Sequence, residues 1–363
     1  MADGAGGKDT DKAATAVAGA RWMDSLPQLG LAYAAGLSAG LAFILVGLPL
    51  PWMLGPLSLA IGLAAWGKPL AQPSAVVHPM RSLIGVAIGS SFGPDVLAKA
   101  GQAAISLAVL VPYTLAITGL GFLFFRRVAG FDRPTSFFSA SPAGLADMVM
   151  FAESAGADVR RVALLQAARV VTIVFALPFW LQFAGGLPLG GASPKALHLW
   201  QVSALDLVTI GLLAWGGWRI ADRLGLTGGS VVGPMLLSGL VHAAGLTAAK
   251  VPVEIVVLAQ VTIGISIGAQ FKGITLREFV TVMSWGLAYA VILLLIAGGF
   301  AYGLALATGL DATSLLLSYA PGGQNEMAII GLILGVDVAL IALHHLLRVV
   351  IVVVGAQIVL KRV

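Results

Sequence analysis

The sequence predicts an all-α polytopic membrane protein made of two inverted-topology repeats, with about ten transmembrane helices and two re-entrant or broken-helix hairpins. Three observations predict it. The first is composition: of 363 residues 59% are hydrophobic and only 10% charged, and mean hydropathy is +0.98. A soluble domain carries about 25% charged residues, so a soluble globule is excluded. The second is duplication. Asp132, Ser139, Pro142, Gly144, Met148, Gly156, Asp158 and Arg169 recur 179 residues later as Asp311, Ser318, Pro321, Gly323, Met327, Gly335, Asp337 and Arg348. Acidic Asp147 is matched by acidic Glu326. The third is the distribution of lysine and arginine along the chain.

Residues 1–24, rich in Ala, Gly and Asp, hold no apolar core ahead of a cleavage site and read as a disordered cytoplasmic tail, not a signal peptide. Repeat 1 covers 25–185, a linker 186–198 and repeat 2 199–363. A spanning helix needs about 20 mainly apolar residues, and each repeat offers six apolar windows. They lie near 28–47, 52–66, 82–98, 102–125, 135–156 and 162–184, then near 199–217, 229–246, 253–271, 279–307, 313–335 and 338–360. Gly55-Pro56 and Gly233-Pro234 open the second helix of each repeat. Ile84-Gly-Val-Ala-Ile-Gly and Ile263-Gly-Ile-Ser-Ile-Gly set small residues four apart, the spacing that lets membrane helices approach closely. Ser90, Ser91, Ser266 and Gln270, in or beside these windows, are polar groups within reach of a central site.

If all twelve windows span from a cytoplasmic N-terminus, the Lys and Arg outside helices divide 12 inside to 7 outside. If the Ser-x-x-Pro-x-Gly window of each repeat instead enters and leaves on one side, the division becomes 16 to 3, the three being Lys99, Lys195 and Lys250. The positive-inside rule selects the second arrangement: ten crossings, repeats of opposite orientation, both termini cytoplasmic. The alternative is that Pro142 and Pro321 kink ordinary spanning helices. In either case irregular backbone at membrane depth survives only where protein or a wet cavity satisfies it, which points to a binding site near the midplane.

The candidate site follows from the residues at these breaks. Pro142 and Pro321 interrupt the helices. Asp147 and Glu326 fall on the first turn of the returning helix, where the dipole favours a carboxylate, and are the candidate ion-coupling groups. Arg169 and Arg348 lie about eight to ten residues into the next helix, roughly 12 to 15 Å deep at about 1.5 Å per residue. Two readings stand side by side. Asp147 pairs with Arg169 and Glu326 with Arg348, pinning the hairpins; or an arginine receives an anionic substrate group while a carboxylate binds Na⁺ or exchanges H⁺. The substrate-binding candidates are Ser139, Ser141, Gly144, Arg169, Ser318, Gly322, Gly323, Gln324, Asn325 and Arg348. The repeats diverge where Leu145-Ala146 becomes Gln324-Asn325 and Leu165-Gln166 becomes His344-His345, so the second hairpin is expected to make most substrate contacts. For the adjacent histidines a proton relay stands against packing, with one of the two facing headgroups or a neighbour.

Zero cysteine excludes disulfides and thiolate chemistry, and the surplus of five positive charges is not organised as a nucleic-acid face. Metal-dependent oxygenase chemistry needs clustered His and carboxylate ligands, whereas five histidines are dispersed with only His344-His345 adjoining. The residues therefore favour a secondary active transporter of a small organic anion, a carboxylate or amino acid, with H⁺ or Na⁺ as coupling ion, no other cofactor and no enzymatic activity. A membrane sensor or accessory subunit is the alternative. The expected partners are the anion and the lipid bilayer, with a homodimer as the assembly.

The duplicated Gly-Pro, Ile-Gly-x-x-Ile-Gly and Ser-x-x-Pro-x-Gly-x-x-acidic-Met patterns resemble the bacterial AbrB family of membrane proteins, from about residue 28 to the end. Its members contain the same internal duplication and are sometimes labelled ammonia monooxygenases. The resemblance implies a bacterial inner-membrane protein with a transport role and no defined substrate.

Overall fold

The computed structural model describes residues 6–93, 96–190, 197–226 and 228–360. Among them the protein is all-helical, with fourteen α-helices. These are α1 (Gly6–Val46), α2 (Pro51–Ala65), α3 (Ser74–Gly89), α4 (Val96–Arg127), α5 (Arg133–Ala140), α6 (Leu145–Ser154) and α7 (Val159–Phe183), then α8 (Ala204–Arg223), α9 (Gly229–Ala243), α10 (Val253–Gly268), α11 (Leu276–Thr308), α12 (Ala312–Tyr319), α13 (Gln324–Leu334) and α14 (Val338–Leu360). Seven segments, in α1, α4, α7, α8, α10, α11 and α14, are long and apolar enough to cross a membrane. The protein is a multi-pass membrane protein. Outward-facing Leu45, Leu212 and Leu295 lie on three of them, where hydrocarbon covers them.

The windows and helices agree to within a few residues except at α1, α3, α4 and α8. α1 extends back from the first span to Gly6, through most of the stretch read as a tail, whose alanines favour helix. Residues 1–5 of that tail and 191–196 of the linker, with Lys195, lie outside the described residues. The third window was placed at 82–98, but α3 begins at Ser74 and ends at Gly89. His78, Pro79 and Arg81 lower the apolar signal without preventing helix, so Arg81 is inside α3 and not in a loop before it.

The helices form two bodies. In one, α1, α2 and α3 pack with α8, α9 and α10; in the other, α4–α7 pack with α11–α14. Glycines set the spacing within the first. A Cβ on Gly85 would stand 2.5 Å from Val231 O on α9, and one on Gly264 the same 2.5 Å from Met53 O on α2. The pattern is crossed, each repeat's third helix lying on the other repeat's second. Between the bodies, α3 meets α13 and α14, and the turn after α10 meets α7.

Two short-helix segments dominate the second body. Asp132 caps α5 by accepting from Thr135 N, and Asp158 caps α7 by accepting from Arg161 N. Burial raises the Asp132 carboxyl, but hydrogen bonds from Thr135 and the charge of Arg161 outweigh it and hold it below its usual value. The Thr135 hydroxyl then accepts from Asp158 N–H at 2.9 Å, which sets the start of α5 beside the start of α7. Repeat 2 builds the same foot: Asp311 accepts from Ser314 N, and Ser314 Oγ accepts from Asp337 N–H at 3.1 Å.

Candidate functional site

A proline disfavours the α conformation in the residue before it, and Ser141 and Ala320, which precede Pro142 and Pro321, are extended at ψ 121° and 123°. Gly144 and Gly323 are again extended (ψ 138° and 143°) before α6 and α13 begin. Each pair of short helices is thus separated by a short unwound segment. A break strands the last carbonyls of α5 and α12, which in hydrocarbon have no water to bond.

Side chains cage those carbonyls, and the two cages match position by position. In repeat 1, Gln166 Nε2 donates to Phe138 O (2.6 Å) and Ser141 O (2.9 Å). Tyr289 donates to Ala140 O (2.8 Å), and Arg169 donates to Ser141 O (3.1 Å) and Ala143 O (3.5 Å). In repeat 2, His345 Nε2 donates to Leu317 O (3.0 Å), Tyr113 to Tyr319 O (2.6 Å), and Arg348 to Ala320 O (3.0 Å) and Gly322 O (3.3 Å). The arginines come from the following helices α7 and α14. The tyrosines come from the opposite repeat, Tyr113 on α4 and Tyr289 on α11.

Both arginines brace backbone carbonyls at the breaks. Both guanidinium groups are buried, 3% exposed, and each keeps an Nε–H that finds no acceptor among the described residues. Asp147 and Glu326 stand on the first turns of α6 and α13 as expected. Glu326 folds back over the N-terminus of its own helix, so close that a Cβ on Gly323 would collide with its carboxylate. This is why glycine sits there although its φ is an ordinary −73°.

Of the alternatives for the histidines, the structure shows packing, and shows it for both. Both His344 and His345 are fully buried, because α14 packs against α12 and α4. His345 accepts from Arg348 on Nδ1 (2.8 Å) while donating from Nε2, doing for Leu317 O what Gln166 does for Phe138 O. His344 donates to Leu340 O and accepts from Ser106. Neither faces headgroups. Among the described residues no three His, Asp or Glu side chains gather in metal-binding geometry.

Of the serines, Ser141 and Ser318 return their hydroxyls to their own helices, on Phe137 O and Ser314 O, while buried Ser139 Oγ has no hydrogen-bond partner among the described residues. The tip of the second segment faces the other body. Gln324 donates to Met235 Sδ on α9 at 3.2 Å, Asn325 is half-buried beside it, and the charge of Arg81 on α3 reaches Glu326. The second break lies against α7: a Cβ on Gly322 would stand 3.2 Å from Ile173, one turn beyond Arg169. Sequence reasoning missed Tyr113, Tyr289 and Arg81. The tyrosines have no duplicated counterpart, since the equivalent positions are Ile292 and Leu110, and Arg81 was read as a loop residue.

A cavity of about 270 Å³ opens between the bodies, lined from α2, α3, α10, α13 and the start of α14. None of the expected substrate-binding or ion-coupling residues lines it; of the polar groups in the Ile-Gly windows, Ser90 and Ser91 do.

A family model described as "Transition state regulatory protein AbrB" matches residues 52–363. The chain is 28% identical over 322 residues to "Putative regulator AbrB" of Escherichia coli (strain K12), covering 88% of this chain and 92% of that protein. It is 26% identical over 345 residues to "Uncharacterized protein YhjN" of Bacillus subtilis (strain 168), covering 87% and 88%.

Proposed function

The chain belongs to the AbrB family of multi-pass membrane proteins, and from that premise we propose that it is a secondary active transporter of a small organic anion, a carboxylate or amino acid, driven by H⁺ or Na⁺. The observation that carries the reading is the pair of caged helix breaks, each followed by a returning helix with a carboxylate on its first turn. Interrupted helices of duplicated origin are how transporters build a site at the bilayer midplane. No chemical conversion is assigned.

The hydrogen bonds joining Thr135 to Asp158 and Ser314 to Asp337 support re-entrant hairpins, since they put entry and exit on one side. Adding the short helices α2, α3 and α9 to the seven long spans yields the ten crossings that the charge distribution favours. That topology, with both termini cytoplasmic in a bacterial inner membrane, makes the repeats inverted and brings the tips in from opposite sides. Alternating access is then a rocking of the α1–α3/α8–α10 body against the other. In this scheme Glu326 and Asp147 carry the coupling ion, Gln324 and Asn325 meet the substrate, and Arg169 and Arg348 hold the tips. A homodimer is the assembly proposed, as the commonest closed one.

Gradient-driven uptake into proteoliposomes tests this. Glu326→Gln is expected to abolish driven uptake while sparing counterflow exchange, and unchanged driven uptake in that variant removes Glu326 from coupling. A second reading is favoured by the names of the family and of the Escherichia coli relative: a regulatory membrane protein that binds without moving solute. Ligand binding retained with no uptake of any bound anion would establish that reading instead.

A further inference from the structure

We propose that the cavity between the two bodies binds a small aliphatic monocarboxylate bearing an uncharged hydrogen-bonding group at its far end. This rests on the transport reading for its role but not for its binding. The walls come from both bodies and are aliphatic: Val256 and Val257 of α10 face Ile329 and Leu332 of α13, with Val336 beyond it. At about 270 Å³ the space is just under the roughly 300 to 1,000 Å³ of drug-sized sites, too small for a membrane lipid.

The polar groups are few and separated. Among the described residues Lys250, exposed and just before α10, is the only charged one in the lining, which includes no carboxylate. Ser90 and Ser91, at the end of α3, add hydroxyls; Ser90 donates to Ala87 O and still has lone pairs to offer. Gln260, seven residues into α10 from Val253, is about 10 Å further along the helix. It is only 5% exposed, lines the cavity and makes no hydrogen bond among the described residues. An amide that faces a cavity without a protein partner is open to a ligand group. A carboxylate fits Lys250; at Gln260, where no cation waits, a hydroxyl or carbonyl fits and a second carboxylate does not. An occupant touching both bodies has different contacts when they rock apart, which lets it bias their equilibrium.

Isothermal titration calorimetry on the delipidated full chain in neutral detergent tests the proposal, with hexanoate, 6-hydroxyhexanoate, 1,6-hexanediol, adipate and phosphatidylglycerol as probes. 6-Hydroxyhexanoate is expected to bind tightest, and shortening the chain to weaken binding about fourfold per methylene. Lys250→Gln should weaken the carboxylates about tenfold or more while leaving the diol unchanged. Gln260→Leu should erase the advantage of the hydroxyl, and Val257→Phe, which fills the cavity, should abolish binding without lowering the unfolding temperature. The proposal is overturned if no carboxylate binds, if Lys250→Gln binds them as wild type does, if adipate binds best, or if only phosphatidylglycerol binds in a Lys250-dependent way. Uptake separates the two claims. Binding of 6-hydroxyhexanoate with no uptake of any anion that binds defeats the transporter reading and leaves this site; transport of another anion with no binding here defeats the site alone.

Discussion

At the residue scale, a few side chains hold backbone that membrane depth would otherwise forbid. Leaving one buried acceptor unsatisfied costs about 1 to 3 kcal/mol. Arg348→Ala removes donors from Ala320 O, Gly322 O and His345 at once, so it should lower the thermal midpoint in detergent more than any single-bond variant. An unchanged midpoint would show that the guanidinium is not a brace. His345→Gln should be tolerated, because Gln166 already performs that task in repeat 1, whereas His345→Leu should lose about 1 to 3 kcal/mol. Had His345 been a proton relay, glutamine and leucine would damage uptake equally. The breaks and their arginines were legible because proline, glycine and a buried cation are conspicuous in an apolar chain. The arginines' partners were not, because carbonyls have no letter in a sequence.

At the scale of elements, duplication was the most informative signal, since it pairs helices that no composition window would relate. It located both segments at 133–154 and 312–334 to within a few residues. It failed at α3, whose polar His78 and Arg81 are opposed in α10 by Val257 and Gln260, so that one copy reads as loop and the other as helix. The Ile-Gly windows were legible as contact faces but not as to their partners, which lie in the other repeat. Gly85→Leu and Gly264→Leu should each push a helix pair apart and sharply lower the yield of folded protein on size-exclusion, whereas Gly62→Leu, where a Cβ meets nothing within 4 Å, should not.

For the whole molecule, the membrane nature of the chain was legible in its composition, and the orientation proposed for the repeats rests on lysine and arginine. The division into two bodies was not legible, since each body draws on both halves of the sequence. The absence of cysteine makes orientation directly testable. Gly130→Cys and Gly309→Cys, in the loops preceding the two segments, should be labelled by an impermeant maleimide from opposite sides of the membrane, Gly130→Cys from the cytoplasm. Labelling of both from one side would sink the inverted topology.

Tyr113 and Tyr289 carry a consequence for how such a chain arises. Each repeat leaves one carbonyl of its own break for the other repeat to cover, so neither half is complete alone. On the inverted topology proposed above, a single-repeat ancestor would cover the carbonyl of its break by pairing with a second copy inserted the other way up. Expressed as separate polypeptides, residues 1–190 and 197–363 should accordingly recover a working molecule together and nothing singly.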